Sequence, residues 1–332
     1  MLQYVYGFLA KFSMKIEGKV EDNQSMYNDI VIIGSTNMDL VINVKERPAA
    51  GETVLGDRLF TNPGGKGANQ AYSCANVGGD IAMISAVGDD VFGEQLLHNL
   101  EKVGVHTACI KQIPNESSGV ALITVDENGE NSIIVAPAAN REVTPALIEE
   151  YEANIKNAKA ILIQLEIPFE TVELSVKLAK KHGVLVFLDP APARELPQKV
   201  LENVDYILPN ETELAQITNM EVKDKNTAIE ASKKLLAQGV KTVIAKLGKD
   251  GVVICSNDNE IYIPGEKVSA VDTTGAGDAF AGAFISQIVA GKTVEESVSY
   301  ANIVGALTVT KVGAQAAMPT KEMVENFMKE RA

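Results

Sequence analysis

Positive charge is what this sequence is short of. Its 332 residues carry 30 Lys and Arg against 44 Asp and Glu, a formal net charge of −14 at pH 7. Nucleic acids and anionic membranes both need clustered basic residues, so neither is expected as a partner. An anionic ligand must instead be received by local features such as a helix N-terminus or a metal ion. Histidine is limited to His98, His106 and His182. They are scattered, two of them near helix ends, and read as surface or cap residues outside catalysis. The three cysteines, Cys74, Cys109 and Cys255, stand singly with no C-x-x-C and no paired spacing. They read as buried, reduced thiols, neither ligands nor nucleophiles. The Walker spacing G-x-x-x-x-G-K-[ST] occurs nowhere, and no internal repeat or low-complexity segment is apparent.

A membrane-spanning run is also missing near the start. Tyr4 to Ala10 is apolar but too short to cross a bilayer, and it lacks a basic leader and a small-residue cleavage site. Residues 1–25 are therefore set apart as an extension, disordered or non-native, ahead of a folded domain over 26–332. The expectation is a cytoplasmic chain without a membrane partner.

What is present is a core-forming alternation. With 46% hydrophobic residues the chain can bury one large core without dividing. Apolar runs at Ile81–Val87, Ala160–Leu165, Val184–Leu188, Tyr206–Leu208 and Thr242–Ala245 read as strands. Helical patterns at Thr171–Lys181, Thr227–Ala237 and Val294–Thr310 fall among them. That rhythm predicts an α/β fold, a mostly parallel sheet covered by helices on both faces. Two segments break it. Leu40–Val44 with Glu52–Phe60, and Gly119–Val125 with Ser132–Ala136, read as paired strands, the second pair turning at Glu127-Asn128-Gly129-Glu130. They predict a small β-sheet lid from residues near 38–62 and 119–137, which could exclude water from a reacting phosphate.

The most informative stretch is Val271-Asp272-Thr273-Thr274-Gly275-Ala276-Gly277-Asp278-Ala279-Phe280. A glycine-rich turn runs into Phe280, Ala283, Phe284 and Ile288, spaced as a helix buried on one face. The N–H groups of Gly275, Ala276 and Gly277 would then lie unpaired at a helix N-terminus, a ready anion site. Asp278 would repel an anion there unless it had a task, and taking a proton from an attacking hydroxyl is such a task. A tight strand-to-helix turn with a first-turn acid gives the same pattern without chemistry. The second glycine-rich motif tips the reading. Asn62-Pro63-Gly64-Gly65-Lys66-Gly67-Ala68-Asn69-Gln70 lets a small polar ligand be crowded by backbone, and Asn69 offers both a donor and an acceptor. Upstream, Gly34-Ser35-Thr36-Asn37-Met38-Asp39 closes the strand Ile30–Ile33. Asn37 and Asp39, two apart, would face the same way on extended chain and could grip sugar hydroxyls.

Gly34–Asp39, Gly64–Asn69, Asn210-Glu211-Thr212-Glu213 and Asp272–Asp278, in this order, resemble the ribokinase (PfkB-type) carbohydrate kinases. Gln164-Leu165-Glu166, Asp189–Arg194 and Lys311–Gln315 add to the resemblance, which runs from about Tyr27 to the C-terminus. It implies ATP-dependent phosphorylation of the 5-hydroxyl of D-ribose, with Asp278 as general base and Gly275, Ala276 and Gly277 as the γ-phosphate anion hole. Asn37, Asp39, Gly65, Lys66, Asn69 and Glu166 match sugar-holding positions. Asn210 and Glu213 match a motif that orders Mg²⁺ through water. Lys246, Gly248, Gly251 and Asn302 fall in nucleotide-binding segments, although Lys246 replaces the small hydroxyl residue expected there. An activating K⁺ is implied at the Asp272 side chain and the carbonyls of Thr274, Thr308, Lys311, Gly313 and Ala317. A homodimer through the lid sheets is implied as well. 2-Deoxyribose, fructose or a nucleoside remain alternative acceptors, and a non-catalytic sugar-binding regulator is the alternative outside the enzymes.

Overall fold

A computed structural model describes residues 27–128 and 130–331; the extension inferred for residues 1–25 lies outside the described residues. Among the described residues, thirteen strands follow one another: β1 (Ile30–Ile33), β2 (Asn37–Val44), β3 (Gly56–Gly64), β4 (Ile81–Gly88), β5 (Ile110–Ile113), β6 (Gly119–Val125), β7 (Asn131–Ala136), β8 (Ala160–Ile163), β9 (Leu185–Leu188), β10 (Tyr206–Ile207), β11 (Thr242–Lys246), β12 (Val252–Ser256) and β13 (Glu260–Ile263). Nine form one sheet in the order β13-β12-β11-β10-β9-β8-β1-β4-β5. It is parallel from β11 to β5, and β12 and β13 add an antiparallel edge.

The central strand shows why the runs are continuously apolar. Val31 and Ile33 enter one core cluster and Ile30 and Ile32 the other, on opposite sides of the sheet. Successive side chains alternate faces, and helices cover both, so no polar position is called for. Cys74, Cys109 and Cys255 are free and buried in these cores. His98 and His106 are exposed, and His182 ends the Phe169–Lys181 helix beside Glu152, 2.7 Å away.

The small sheet has the order β3-β2-β6-β7. The two expected antiparallel pairs are present, joined through a parallel β2–β6 pairing. The second strand starts at Gly56, four residues after the expected Glu52. Glu52 instead closes a turn, its N–H donating to the Ala49 carbonyl and its carboxylate accepting from the Ala49 N–H. At its other end β3 continues to Gly64, where Asn37 pairs with Gly64 and Gly119. The lid strands therefore lead directly into the glycine-rich motif. The small sheet leaves Leu59, Leu122 and Ile134 exposed on the face opposite Asp39, and Ile133 and Val135 exposed on the other.

Candidate active site

Two helices build the heart of the site. The Ala276–Val289 helix carries Asp278 in its first turn, and the Lys66–Asn76 helix lies against it. The first of these was expected to bury one face. In the structure every residue from Asp278 to Ser286 is buried, because neighbouring helices and the sheet enclose it. The close approach depends on Gly282, where a Cβ would collide with the Gln70 carbonyl. Ser73 Oγ donates to the Ala279 carbonyl at 2.7 Å and fixes the register of the two helices.

That register aims two amides at one carboxylate. Asn69 Nδ2 donates to Asp278 Oδ2 at 2.9 Å and Gln70 Nε2 to Asp278 Oδ1 at 3.1 Å. Asp278 is buried yet accepts on both oxygens, which keeps it oriented. At the helix start Gly275 adopts φ 75°, a left-handed conformation suited to glycine. The expected trio of unpaired N–H groups needs one correction: Ala276 N–H donates to the Thr273 carbonyl at 3.3 Å, curling the turn. Gly275, Gly277 and Asp278 have no N–H acceptor among the described residues. The anion-accepting end of the dipole is therefore present, shifted by one residue.

On one side of Asp278 lie the residues matched to sugar-holding positions. Glu166 Oε2 accepts from Ser35 Oγ at 2.5 Å and from the Lys66 N–H at 3.2 Å, so it caps the helix that Gly65 begins. Asn140 Nδ2 donates to Asn37 Oδ1 at 2.7 Å. Asn69 is more committed than its sequence reading suggests. It donates to Asp278 and accepts from Gln315 Nε2 at 2.9 Å, so it orients the Asp278 carboxylate whatever else it holds. Burial, with Glu166 and Asp278 nearby, pushes the Asp39 carboxyl up to about 7. Asp278 holds the Lys66 ammonium above its ordinary value against the pull of burial, with Asp189, Glu166 and Glu213 adding to the effect.

On the other side a cavity of about 580 Å³ is lined by Asn210, Glu213, Lys246, Gly248, Gly251, Gly277 and Asn302, with Lys66 and Asp278 at one end. Asn210 and Glu213 form a capping box: each side chain accepts from the other's backbone N–H at 2.8 Å, opening the Glu211–Thr218 helix. Burial raises the Glu213 carboxyl. Asn302 Nδ2 donates to the Pro264 carbonyl at 2.9 Å and ties the wall to the loop after β13.

Asp272 stitches two loops beneath the helix start. Its Oδ1 accepts from Thr274 N–H and Oγ1, and its Oδ2 from the Gly313 N–H at 2.8 Å. Burial alone would raise this carboxyl, but these hydrogen bonds outweigh it and hold it below the ordinary range. The Thr308 carbonyl already accepts from the Lys311 N–H at 3.3 Å.

The description "pfkB family carbohydrate kinase" matches residues 28–321. The chain belongs to this family. It is a phosphotransferase acting on a sugar hydroxyl, and Asp278 lies between the two halves of its cleft. The kinase is 37% identical over 303 residues to the ribokinase of Haemophilus influenzae, covering 91% of this chain and 99% of that protein. To the deoxyribokinase of Salmonella typhimurium it is also 37% identical, over 301 residues, covering 90% and 98%. The structure of Arabidopsis thaliana ribokinase complexed with ribose and ATP superposes with a TM-score of 0.87 at 32% identity, covering 92% and 99% of the two chains.

Sequence reasoning did not assign roles to several residues that brace this kinase's site. Gln70, Asp189 and Gln315 stand within quoted stretches, and their side chains complete contacts over 119 to 246 residues of separation. Asn140 belongs to no motif. Its signal is spatial only, since it meets Asn37 across the lid junction.

Proposed function

We propose that this kinase transfers the γ-phosphoryl group of ATP to the 5-hydroxyl of D-ribose, giving D-ribose 5-phosphate and ADP. One observation carries the reading: Asp278, held by two amides, lies where the sugar-side residues meet a helix N-terminus opening on the nucleotide-sized cavity. The hydroxyl oxygen bonds to the γ-phosphorus as the bond to the bridging oxygen of ADP breaks, and Asp278 takes the hydroxyl proton. Asn37, Asp39, Gly65, Lys66, Asn69 and Glu166 hold the sugar. The N–H groups of Gly275, Gly277 and Asp278 receive charge on the transferring oxygens. Asn210, Lys246, Gly248, Gly251, Gly277 and Asn302 line the nucleotide's place.

Mg²⁺ fits this arrangement as an ion carried by the nucleotide. Among the described residues no group of three or more His, Cys, Asp or Glu could hold a metal by itself. Glu213 has one carboxylate oxygen in its capping box and a second left for a metal-bound water. When bound, the ion neutralises phosphate charge. K⁺ is proposed at Asp272 with the carbonyls of Thr274, Thr308, Lys311, Gly313 and Ala317, an all-oxygen set suited to a hard cation. There it would reinforce the link that Asp272 already makes between the two loops. The exposed apolar residues of the lid support a homodimer through that sheet. Three free, buried thiols support a cytoplasmic setting, and among the described residues no helix is long and apolar enough to cross a membrane.

2-Deoxyribose is the second reading, favoured by the deoxyribokinase relative at equal identity. ADP release from Mg-ATP, measured with ribose, 2-deoxyribose, fructose and adenosine, with and without K⁺, decides. Preferential turnover of ribose, raised by K⁺, is the expected result. Preference for another acceptor overturns the substrate assignment, and no turnover with any of them points to a non-catalytic binder.

A further inference from the structure

The buried ion pair Lys246–Asp189 has no part in the steps above, yet it is wired to the base. Lys246 Nζ lies 3.0 Å from Asp189 Oδ1, and the two side chains are 12% and 2% exposed. Gln70 Nε2 donates to Asp189 Oδ2 at 2.8 Å and to Asp278 Oδ1 at 3.1 Å, so one amide bridges both carboxylates. Gln164 Nε2 in turn donates to Gln70 Oε1 at 2.5 Å, which fixes the Gln70 orientation. Lys246 ends β11, its N–H bonded to the Pro209 carbonyl at 2.9 Å. Its side chain reaches the start of the Asp278 helix: a Cβ on Gly277 would lie 3.6 Å from Nζ. The ammonium is thus held beside the free N–H groups and lines the same cavity as Asn210 and Glu213.

A buried ion pair contributes little net stability compared with well-packed apolar residues, because both charges are desolvated. A lysine needed only to neutralise Asp189 would have no reason to face a cavity that must receive phosphates. We infer that Lys246 contacts the transferring phosphoryl group as a catalytic residue, and that Asp189 is its positioning residue. The Asp189–Gln70–Asp278 bridge keeps the ammonium and the base in one frame. During transfer, negative charge on the γ-phosphoryl oxygens meets the ammonium on one side and the helix N–H groups on the other, while the hydroxyl proton passes to Asp278. Lys246 stays protonated throughout, and Asp189 neither gains nor loses a proton. The inference rests on the proposed ATP chemistry, but not on ribose as the acceptor.

The test uses the full-length protein as Lys246→Met, Asp189→Asn and the double variant. Lys246→Met keeps the stem and strands a buried carboxylate, so its Tm falls; the double variant removes both charges and regains most of that loss. The kinetics part company from stability. With the acceptor that the wild type phosphorylates fastest, kcat of the double variant stays about 100-fold down, the scale of losing one transition-state donor. Calorimetry without sugar gives an independent reading. Both variants lacking Lys246 should lose preference for Mg-ATP over Mg-ADP by about tenfold, the scale of a charged hydrogen bond. Asp189→Asn should keep that preference while lowering kcat, as expected when the ammonium is present but no longer held. Recovery of kcat together with Tm in the double variant would reduce Lys246 to a counter-ion and overturn the inference. An unchanged ATP-over-ADP preference in the variants lacking Lys246 would overturn it too. If the wild type turns over none of the sugars, the proposed function fails, and the calorimetry still decides the role of Lys246.

Discussion

The two halves of the cleft are built by different means. The half proposed for the sugar is made of side chains, each braced by another: Glu166 by Ser35, Asn37 by Asn140, Asn69 by Gln315. The half proposed for the nucleotide opens on two helix starts, one at a glycine and one capped, with Gly277, Thr273 and Ala270 open to the cavity beside the Lys246 side chain. The chemistry explains the contrast. Sugar hydroxyls differ only in direction, so telling them apart takes several fixed donors and acceptors. A phosphate offers charge and many equivalent oxygens, which unpaired N–H groups at a dipole and a nearby ammonium can receive from several directions. Asp278 belongs to both halves, since it is on the phosphate-facing helix and is clamped from the sugar side.

The strongest way to break this comparison is at that junction. Asp278→Asn should lower kcat by about 10²–10⁴-fold, the range for a general base, while calorimetric affinities for sugar and ATP change little. Near wild-type turnover would remove Asp278 from the role of base. Next in size is Asp39→Ala, which belongs to one half alone. It should weaken ribose binding about tenfold to 100-fold, the scale of a charged hydrogen bond, and leave ATP affinity near wild type. Equal losses for both ligands would show that the halves are not separable.

A pH series sharpens the contrast further. With the Asp39 carboxyl at about 7, against 3.8 for an ordinary aspartate, the folded protein holds a proton there that the unfolded chain has released. Between those values the folded state binds more protons, so this residue's contribution to stability declines as pH rises from about 4 through about 7. Asp39→Asn should remove that slope in melting experiments. If the carboxylate accepts from sugar hydroxyls, the sugar KM should fall as pH is raised from about 6 to about 8, and Asp39→Asn should flatten the change. The KM for ATP should not follow it. A sugar KM that rises across that range in the wild type would argue that Asp39 holds the sugar in its protonated form, and an unchanged one would remove Asp39 titration from sugar binding.

The same contrast sets what could be read in the sequence. Backbone sites leave a local imprint: Gly275, Gly277 and Asp278 announce a helix start, although Asn210 and Glu213 were legible only as a Mg²⁺ motif and their capping box appears in the structure. The continuous apolar strands and the paired lid strands are local too, which is why sheet and lid were both legible. Side-chain braces are not. The partners Asn69 and Gln315 stand 246 residues apart and Gln70 and Asp189 stand 119 apart, so only folding brings them together. The one-face pattern expected for the Asp278 helix also fell short, because small residues such as Gly282 and Ala283 let it bury every side in turn. The late start of β3 was hidden in Glu52, whose capping of a turn leaves no mark in hydrophobic periodicity.

The smallest expected effect lies farthest from the chemistry, on the lid. Ile134 is 69% exposed on β7, on the same face of the lid sheet as its β6 partner Leu122 and as Leu59, both also exposed. Association of two lids would cover that face, and a charge placed on it would have to be desolvated. Ile134→Glu should therefore shift the protein toward monomer in sedimentation equilibrium. The lid sheet contributes Asn37 and Asp39 to the sugar half and no residue to the nucleotide half. A loosened lid should then raise the sugar KM by about fivefold, the scale of 1 kcal/mol, with the ATP KM unchanged. An oligomeric state that does not respond to Ile134→Glu would remove the lid as the contact between subunits. A matching rise in both KM values would mean that the lid orders the whole cleft, and the division between its halves would have to be redrawn.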